Sequence, residues 1–209
     1  MAGPSPTPRY RLSDDELLDA ACAVFAAHGF DRAKMHEIAA HAGTTKPTLY
    51  ARFGSKEELF AAALRREHRL FTERLFAAYD SGADEPFRKR LHRWNAAGFD
   101  FVRERPDGFR LISEGERYPA AAEIVQHAID ERIDRIAKLV VEISGRPEGS
   151  GPRLVAAMIV GAHRWCAREA VRDPDLRVDD AAALCESFLH GALRNLDADL
   201  MDALAPASA

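Results

Sequence analysis

Cysteine is scarce: Cys22, Cys166 and Cys185 are the three in 209 residues. Their odd number, and the place of each inside a helical pattern, argue against a disulfide framework and for reduced thiols in a cytoplasmic protein. No apolar run approaches the roughly 20 residues that a membrane span requires, so no membrane partner is expected. The Pro-rich start over 1–11 has no apolar stretch and does not read as a secretory signal. Alternating strand patterns are missing as well. So are a phosphate-cradling glycine loop, a His-Glu-x-x-His pair and a Gly-x-Ser-x-Gly elbow, which leaves no catalytic residue, metal or cofactor to expect. What the chain does contain is Ala, Leu, Glu and Arg in quantity, with 47% hydrophobic and 30% charged residues. An all-α globular protein is the reading that follows.

The formal net charge is −4, which taken alone disfavours a polyanionic partner. Its distribution points the other way. Between Arg32 and Lys56 stand Arg32, Lys34, Lys46, Arg52 and Lys56, with Glu37 as the single acid. Basic charge is concentrated in one short stretch of an acidic chain.

Residues 1–12 read as a flexible arm and 200–209 as a disordered tail. Ser13 with Glu16 forms a capping box, after which Leu17, Leu18, Ala21, Val24 and Phe25 recur at helical spacing until Gly29. A short helix from Met35 to Ala42 places Ile38 and Ala39 on one face. Gly43 breaks it, Thr44 or Thr45 caps a third helix with Pro47 in its first turn, and Gly54 ends that helix at Phe53. Ser55 and Glu58 make a second capping box, opening a helix over about 56–79. Further helical segments are expected at 86–104, 106–113, 119–144, 152–172 and 179–197, separated by Pro- and Gly-bearing breaks.

Two short helices joined by Ala42-Gly43-Thr44-Thr45 have the form of a helix-turn-helix. The polar residues left for the outside of the third helix are Thr44, Thr45, Lys46, Thr48, Tyr50 and Arg52. A basic helix of this length fits the DNA major groove, where its first residues meet base edges. The competing reading is a three-helix bundle with a solvated face. An exposed tyrosine within a basic cluster is poorly explained by solvation alone.

The stretch from Gly29-Phe30 through Ile38-Ala39, Ala42-Gly43-Thr44-Thr45, Thr48-Leu49-Tyr50, Phe53 and Ser55-Lys56-Glu57-Glu58-Leu59 resembles the TetR-family signature. The match covers about residues 13–64. The resemblance implies a DNA-binding domain over 13–56, a linking helix over about 56–79 and a ligand-binding, dimerising domain over 80–199. It also implies a homodimer on a double-stranded DNA operator, usually a repressor, released by a small-molecule effector. By position, Tyr50 and Lys56 would contact phosphates, Thr44, Thr45, Lys46 and Thr48 bases or neighbouring phosphates, and His36 the DNA backbone. Ala33-Lys34 stands where Thr-Thr or Thr-Ser is commoner, so a charge contact from Lys34 would replace a hydroxyl contact. Thr44 replaces the usual Val and Pro47 a frequent Gly. Arg9 and Arg11 could enter the minor groove from the arm, or simply solubilise it.

In the body, the resemblance places a ligand cavity near Trp94, Phe99, Phe101 and Phe109, with Glu114 and Tyr118 as polar candidates; plain core and a solvated turn are the alternatives. Leu154, Met158, Gly161 and Trp165 form one apolar stripe, and Leu184, Phe188, Gly191 and Ala192 another. Glycine inside a helix costs about 1 kcal/mol against alanine, and close helix packing would offset it. The family pairs its last two helices between protomers, so Met158, Gly161, Trp165, Phe188, Gly191 and Ala192 are the expected dimer seam, with burial inside the protomer as the rival. His163 and Cys166 could share a metal, against a core thiol beside a partly exposed histidine. Cys166 or Cys185 as a redox sensor, or an enzyme or small-molecule carrier with a degenerate head, are the other readings.

Overall fold

The computed structural model describes residues 12–82, 84–145 and 148–196, the side chain of Ala120 excepted. Among them the regular structure is helical throughout, as the composition implied. The expected arm, with Arg9 and Arg11, lies outside the described residues apart from Leu12, and so does the 200–209 tail. The chain divides into two compact units, Met1–Ala63 and Leu64–Ala209, called the head and the body below.

The head begins with α1 (Asp14–Arg32), set by its capping box. Ser13 Oγ accepts the Glu16 N–H at 3.2 Å, and the Glu16 carboxylate accepts the Ser13 N–H at 2.8 Å. Regular helix is interrupted at Gly29, where φ is 73°, and resumes briefly to Arg32. Then follow α2 (Met35–His41), α3 (Lys46–Phe53) and the start of α4 (Lys56–Asp80). Leu17, Ile38, Leu49 and Leu59 are each wholly buried, and a side chain of that size contributes about 1.5–3 kcal/mol when removed from water. Phe60 receives the ring of Phe25 edge-on at 5.0 Å and that of Phe30 at 5.1 Å. In the α2–α3 turn, Gly43 has a φ of 65°, and nothing lies within 4 Å of a Cβ placed on it. Its contribution is therefore the left-handed backbone angle, not space.

The body takes in α4 from Leu64 onward, because Phe71, Leu75, Phe76 and Tyr79 belong to its core. The helix expected to link the domains also supplies core to the body. The rest is α5 (Phe87–Glu104), α6 (Pro106–Glu114), α7 (Ala122–Ser144), α8 (Ser150–Arg172) and α9 (Val178–Arg194). Two short 3-10 turns, Gly115–Arg117 and Pro119–Ala121, precede α7, which starts three residues later than the expected 119. Pro119 has no N–H to give and occupies the first position of such a turn.

The last two helices are apolar on two faces. In α8, Val155, Ala156, Ile159, Val160 and His163 are buried while Leu154, Met158 and Trp165 stand exposed. In α9, Ala181, Cys185 and Leu189 are buried while Leu184 and Phe188 stand exposed.

Candidate functional site

In the head, the turn of Gly43 and the cap of Thr45 present α3. Thr45 Oγ1 accepts the Thr48 N–H at 3.4 Å and lies 2.8 Å from Thr48 Oγ1. Two hydroxyls share one internal hydrogen bond, so one hydroxyl proton of the pair is left to donate outward. Lys46 follows the cap, exposed, with its Nζ 5.6 Å from the centroid of the Tyr50 ring. Tyr50 is 41% exposed. Thr44, half-buried, lies in the turn itself. The face thus offers hydroxyls, one ammonium and one phenol, and among the described residues Lys46 has no ion pair.

Lys34 and His36 are exposed at the start of α2, where the Lys34 N–H donates to the Glu37 carboxylate at 3.1 Å, and among the described residues no acid pairs with the Lys34 ammonium. Lys56 is half-buried at the start of α4. Its Nζ donates to the Asp31 carbonyl at 3.3 Å and sits 4.6 Å over the Phe30 ring, which pins it near the surface edge. Arg52 departs from the expectation that it lies on the outer face. Its guanidinium turns back to the Asp14 carboxylate, Nε at 2.8 Å, and to the Leu12 carbonyl at 3.3 Å. An acid in the first turn of α1 lies within its reach, so Arg52 staples the head and Lys34, Lys46 and Lys56 carry the outward charge.

In the body, Trp94 and Phe109 are buried and line a cavity of about 20 Å³ together with Phe71, Ile112, Arg132 and His163. Phe99 and Phe101 are plain core, against His163 at 5.1 Å and Phe71 at 5.2 Å respectively. Glu114 and Tyr118 are half-buried and line none of the described cavities. A larger cavity, about 830 Å³, lies elsewhere, between the start of α5, the end of α7 and the end of α9.

His163 and Cys166 exchange the places expected for them. The histidine is buried, its ring 4.6 Å from that of Trp94, and burial pulls its pKa down to about 4. Cys166 is the half-buried one. Among the described residues no three His, Cys, Asp or Glu side chains gather as a metal site. Cys185 is buried against the Cys166 thiol, and burial raises its pKa, which disfavours the reactive thiolate.

Sequence reasoning passed over the buried charges. Glu67, wholly buried, accepts from Arg66 at 2.7 Å and Arg105 at 2.8 Å. Arg132, 4% exposed, donates to the Thr72 hydroxyl at 3.1 Å. The signal for Arg132 was present, since it interrupts the apolar stripe Val125, Ala128, Ile136 of α7.

Comparison with known proteins agrees with the geometry of the head. The model of the bacterial regulatory proteins, tetR family, matches residues 17–63. The HTH-type transcriptional activator FasR of Mycolicibacterium smegmatis is 34% identical over 179 residues, 81% of this chain and 81% of that protein. The HTH-type transcriptional repressor SCO4008 of Streptomyces coelicolor is 32% identical over 161 residues, 77% of this chain and 70% of its own. A TetR-like transcriptional regulator from Rhodococcus sp. RHA1 superposes with a TM-score of 0.72 at 32% identity, covering 89% of this chain and all of the other. With its signature on a helix-turn-helix head and its likeness running through most of the body, the chain belongs to the TetR family of transcriptional regulators.

Proposed function

We propose that the chain binds a near-palindromic DNA operator in a sequence-specific manner as a homodimer, and that a small molecule held in its body releases it. The observation that carries this reading is α3 itself: Thr45, Lys46, Thr48 and Tyr50 face outward, and no acid of the head neutralises Lys46. Repression follows where the operator overlaps a promoter, because an occupied site excludes polymerase. Of the two relatives, both named HTH-type, one is named an activator and the other a repressor, so this kind of head does not by itself fix the polarity. The protein acts in the cytoplasm, and no enzymatic step or cofactor belongs to the mechanism.

The dimer rests on α8 and α9. Met158 is 52% exposed, Trp165 53% and Phe188 61%, large apolar groups left in water on two helices that pack against each other. Gly161, Gly191 and Ala192 belong to the same two helices, and nothing within the protomer comes within 4 Å of a Cβ placed on either glycine. The close approach that would offset two helical glycines is thus not made inside the protomer, and a partner's helices supply it in this reading. The effector acts only through the difference in its affinity for the DNA-competent and incompetent states.

Selection of fragments from a random DNA pool by the purified chain tests the reading. Enrichment of an inverted repeat, with half-sites about one helical turn or a multiple apart (roughly 34 Å), is expected. Sedimentation should give a dimer alone and on DNA. A pool that stays unenriched, or a monomer on an asymmetric site, would overturn it.

A further inference from the structure

Three cavities of the body adjoin one another through shared walls. The one at Arg132, about 20 Å³, shares Trp94 as a wall with a second of about 20 Å³ beside Tyr79. The second shares Phe87 and Val140 with the 830 Å³ cavity, which reaches the surface at Ile143 and Leu196. Each flanking helix gives one face to the series. Along α7 the wall runs Arg132, Ile136, Val140 and Ile143, and along α8 it runs His163, Ile159 and Val155. These are helical spacings, so the cavities follow the helix axes over about 16 Å, the length of an apolar chain of roughly a dozen carbons. Trp94 at one joint and Phe87 with Val140 at the other are walls common to neighbouring spaces.

The inner end is not apolar. Arg132 is a guanidinium with 4% exposure that donates to the neutral Thr72 hydroxyl and whose face lies 5.5 Å from the Phe71 ring. Among the described residues no carboxylate pairs with it. Glu131, its chain neighbour, is exposed, and the nearby Arg164 is a like charge already engaged by Glu116. A buried cation without a counter-charge is costly, and burial accordingly pulls the Arg132 pKa down to about 10. The His163 ring beside the cavity leaves its Nε2 without a hydrogen-bond partner, and the Trp94 Nε1 at the joint is likewise unpartnered. A bundle core with no occupant gains nothing from these groups.

We infer that the series of cavities is the collapsed form of a single channel, and that it takes an elongated apolar acid with its carboxylate on Arg132 and its chain running outward towards Ile143. The inference rests on the reading that the body holds a small-molecule effector, and it names the chemical class. The carboxylate supplies the missing counter-charge as a bidentate guanidinium pair, and Thr72 stays on the remaining N–H. The apolar chain displaces Trp94 and Phe87 from the joints and buries its methylenes against the stripes of α7 and α8. A head group too large for the interior, such as a coenzyme A thioester, would have to stay at the mouth and would leave Arg132 unpaired.

The test compares dodecanoate, dodecanol and dodecanoyl-coenzyme A as ligands of the full chain by calorimetry, with DNA release measured separately. Dodecanoate should bind more tightly than dodecanol. Arg132→Met, which keeps the volume and removes the charge, should weaken dodecanoate by roughly 30-fold while leaving dodecanol within about twofold. Binding of the selected operator shows that this variant is folded. Ile136→Trp, which fills the channel and leaves Arg132 in place, should weaken both dodecanoate and dodecanol. Equal affinity for acid and alcohol, full dodecanoate affinity in Arg132→Met, or thioester binding that ignores Arg132 would each overturn the inference. Arg132-dependent dodecanoate binding without any change in DNA affinity would uphold the site and remove its role as an effector pocket.

Discussion

The head and the body deal with polar side chains in opposite ways. In the head, Lys34, His36, Lys46 and Tyr50 are left in water, and the pair of Arg52 with Asp14 ties α3 to the start of α1. In the body, Glu67, His68, Arg132 and His163 are buried within it. An exposed cation costs little while it waits for a partner, whereas a buried one has to be satisfied or tolerated. The head can therefore be built for an external polyanion at almost no cost to its stability. The body gives up stability to hold charge inside, and that makes it the half of the chain in which a bound molecule can change the energetics most.

Neutralising a buried charge should separate the halves most sharply. The Glu67 carboxylate is shared by Arg66 and Arg105, and an added Cβ on Gly108 would come within 2.2 Å of it, so no room exists for water to replace it. Glu67→Gln leaves two guanidinium groups beside a neutral amide, and a loss of about 3–5 kcal/mol is expected from urea unfolding. A loss below about 0.5 kcal/mol would show that the triad is solvated and the contrast with the head is false.

Acid should act on the same half. Burial lowers the pKa of His68 to about 3 and that of His163 to about 4, from an ordinary 6.5. Both groups are neutral when folded, and the unfolded chain binds the extra protons as the pH falls below 6.5. Stability is therefore level above pH 6.5 and declines on acidification towards pH 4, by up to about 2–3 kcal/mol for each histidine. Thermal unfolding across this range should show the decline, and His163→Leu should reduce its slope. An unchanged slope in that variant would mean that the imidazole reaches water in the folded protein.

What the sequence disclosed follows the same division. Capping boxes, a glycine turn and short-range apolar spacing set the head, and each is local, so α1 to α3 could be read nearly residue by residue. Arg52 was the exception, because its partner Asp14 is 38 positions away. In the body the helices were legible and their burial was not. Trp94, Phe99, Phe101 and Phe109 form one aromatic cluster in the sequence, yet two border a cavity and two fill core, a distinction made by α4, α7 and α8 packing around them. Arg132 stood visibly inside an apolar stripe. Only the fold shows that, among the described residues, no acid comes to meet it.

Smaller effects are expected on the head. Lys46→Met should weaken operator binding without moving the unfolding midpoint, and if it meets a phosphate it should lower the salt slope by about 1 and act alike on all sequences. Tyr50→Phe removes one hydroxyl and should cost about 1 kcal/mol of binding, roughly fivefold. Loss of stability in either variant, detected by circular dichroism, would place these side chains in the fold and not on DNA.

The smallest effect is decided by its sign. Gly161→Ala and Gly191→Ala put a methyl where the protomer has nothing within 4 Å, at interior positions of α8 and α9. In an isolated protomer each should stabilise by about 0.5–1 kcal/mol, through helix propensity alone. If a partner's helices close on these glycines, the methyls meet them instead, and the dimer weakens while the protomer gains. The thermal midpoint measured against protein concentration separates the two. A midpoint that rises in the variants and keeps its concentration dependence would move the seam away from Gly161 and Gly191, whereas a midpoint that falls most at low concentration places it there.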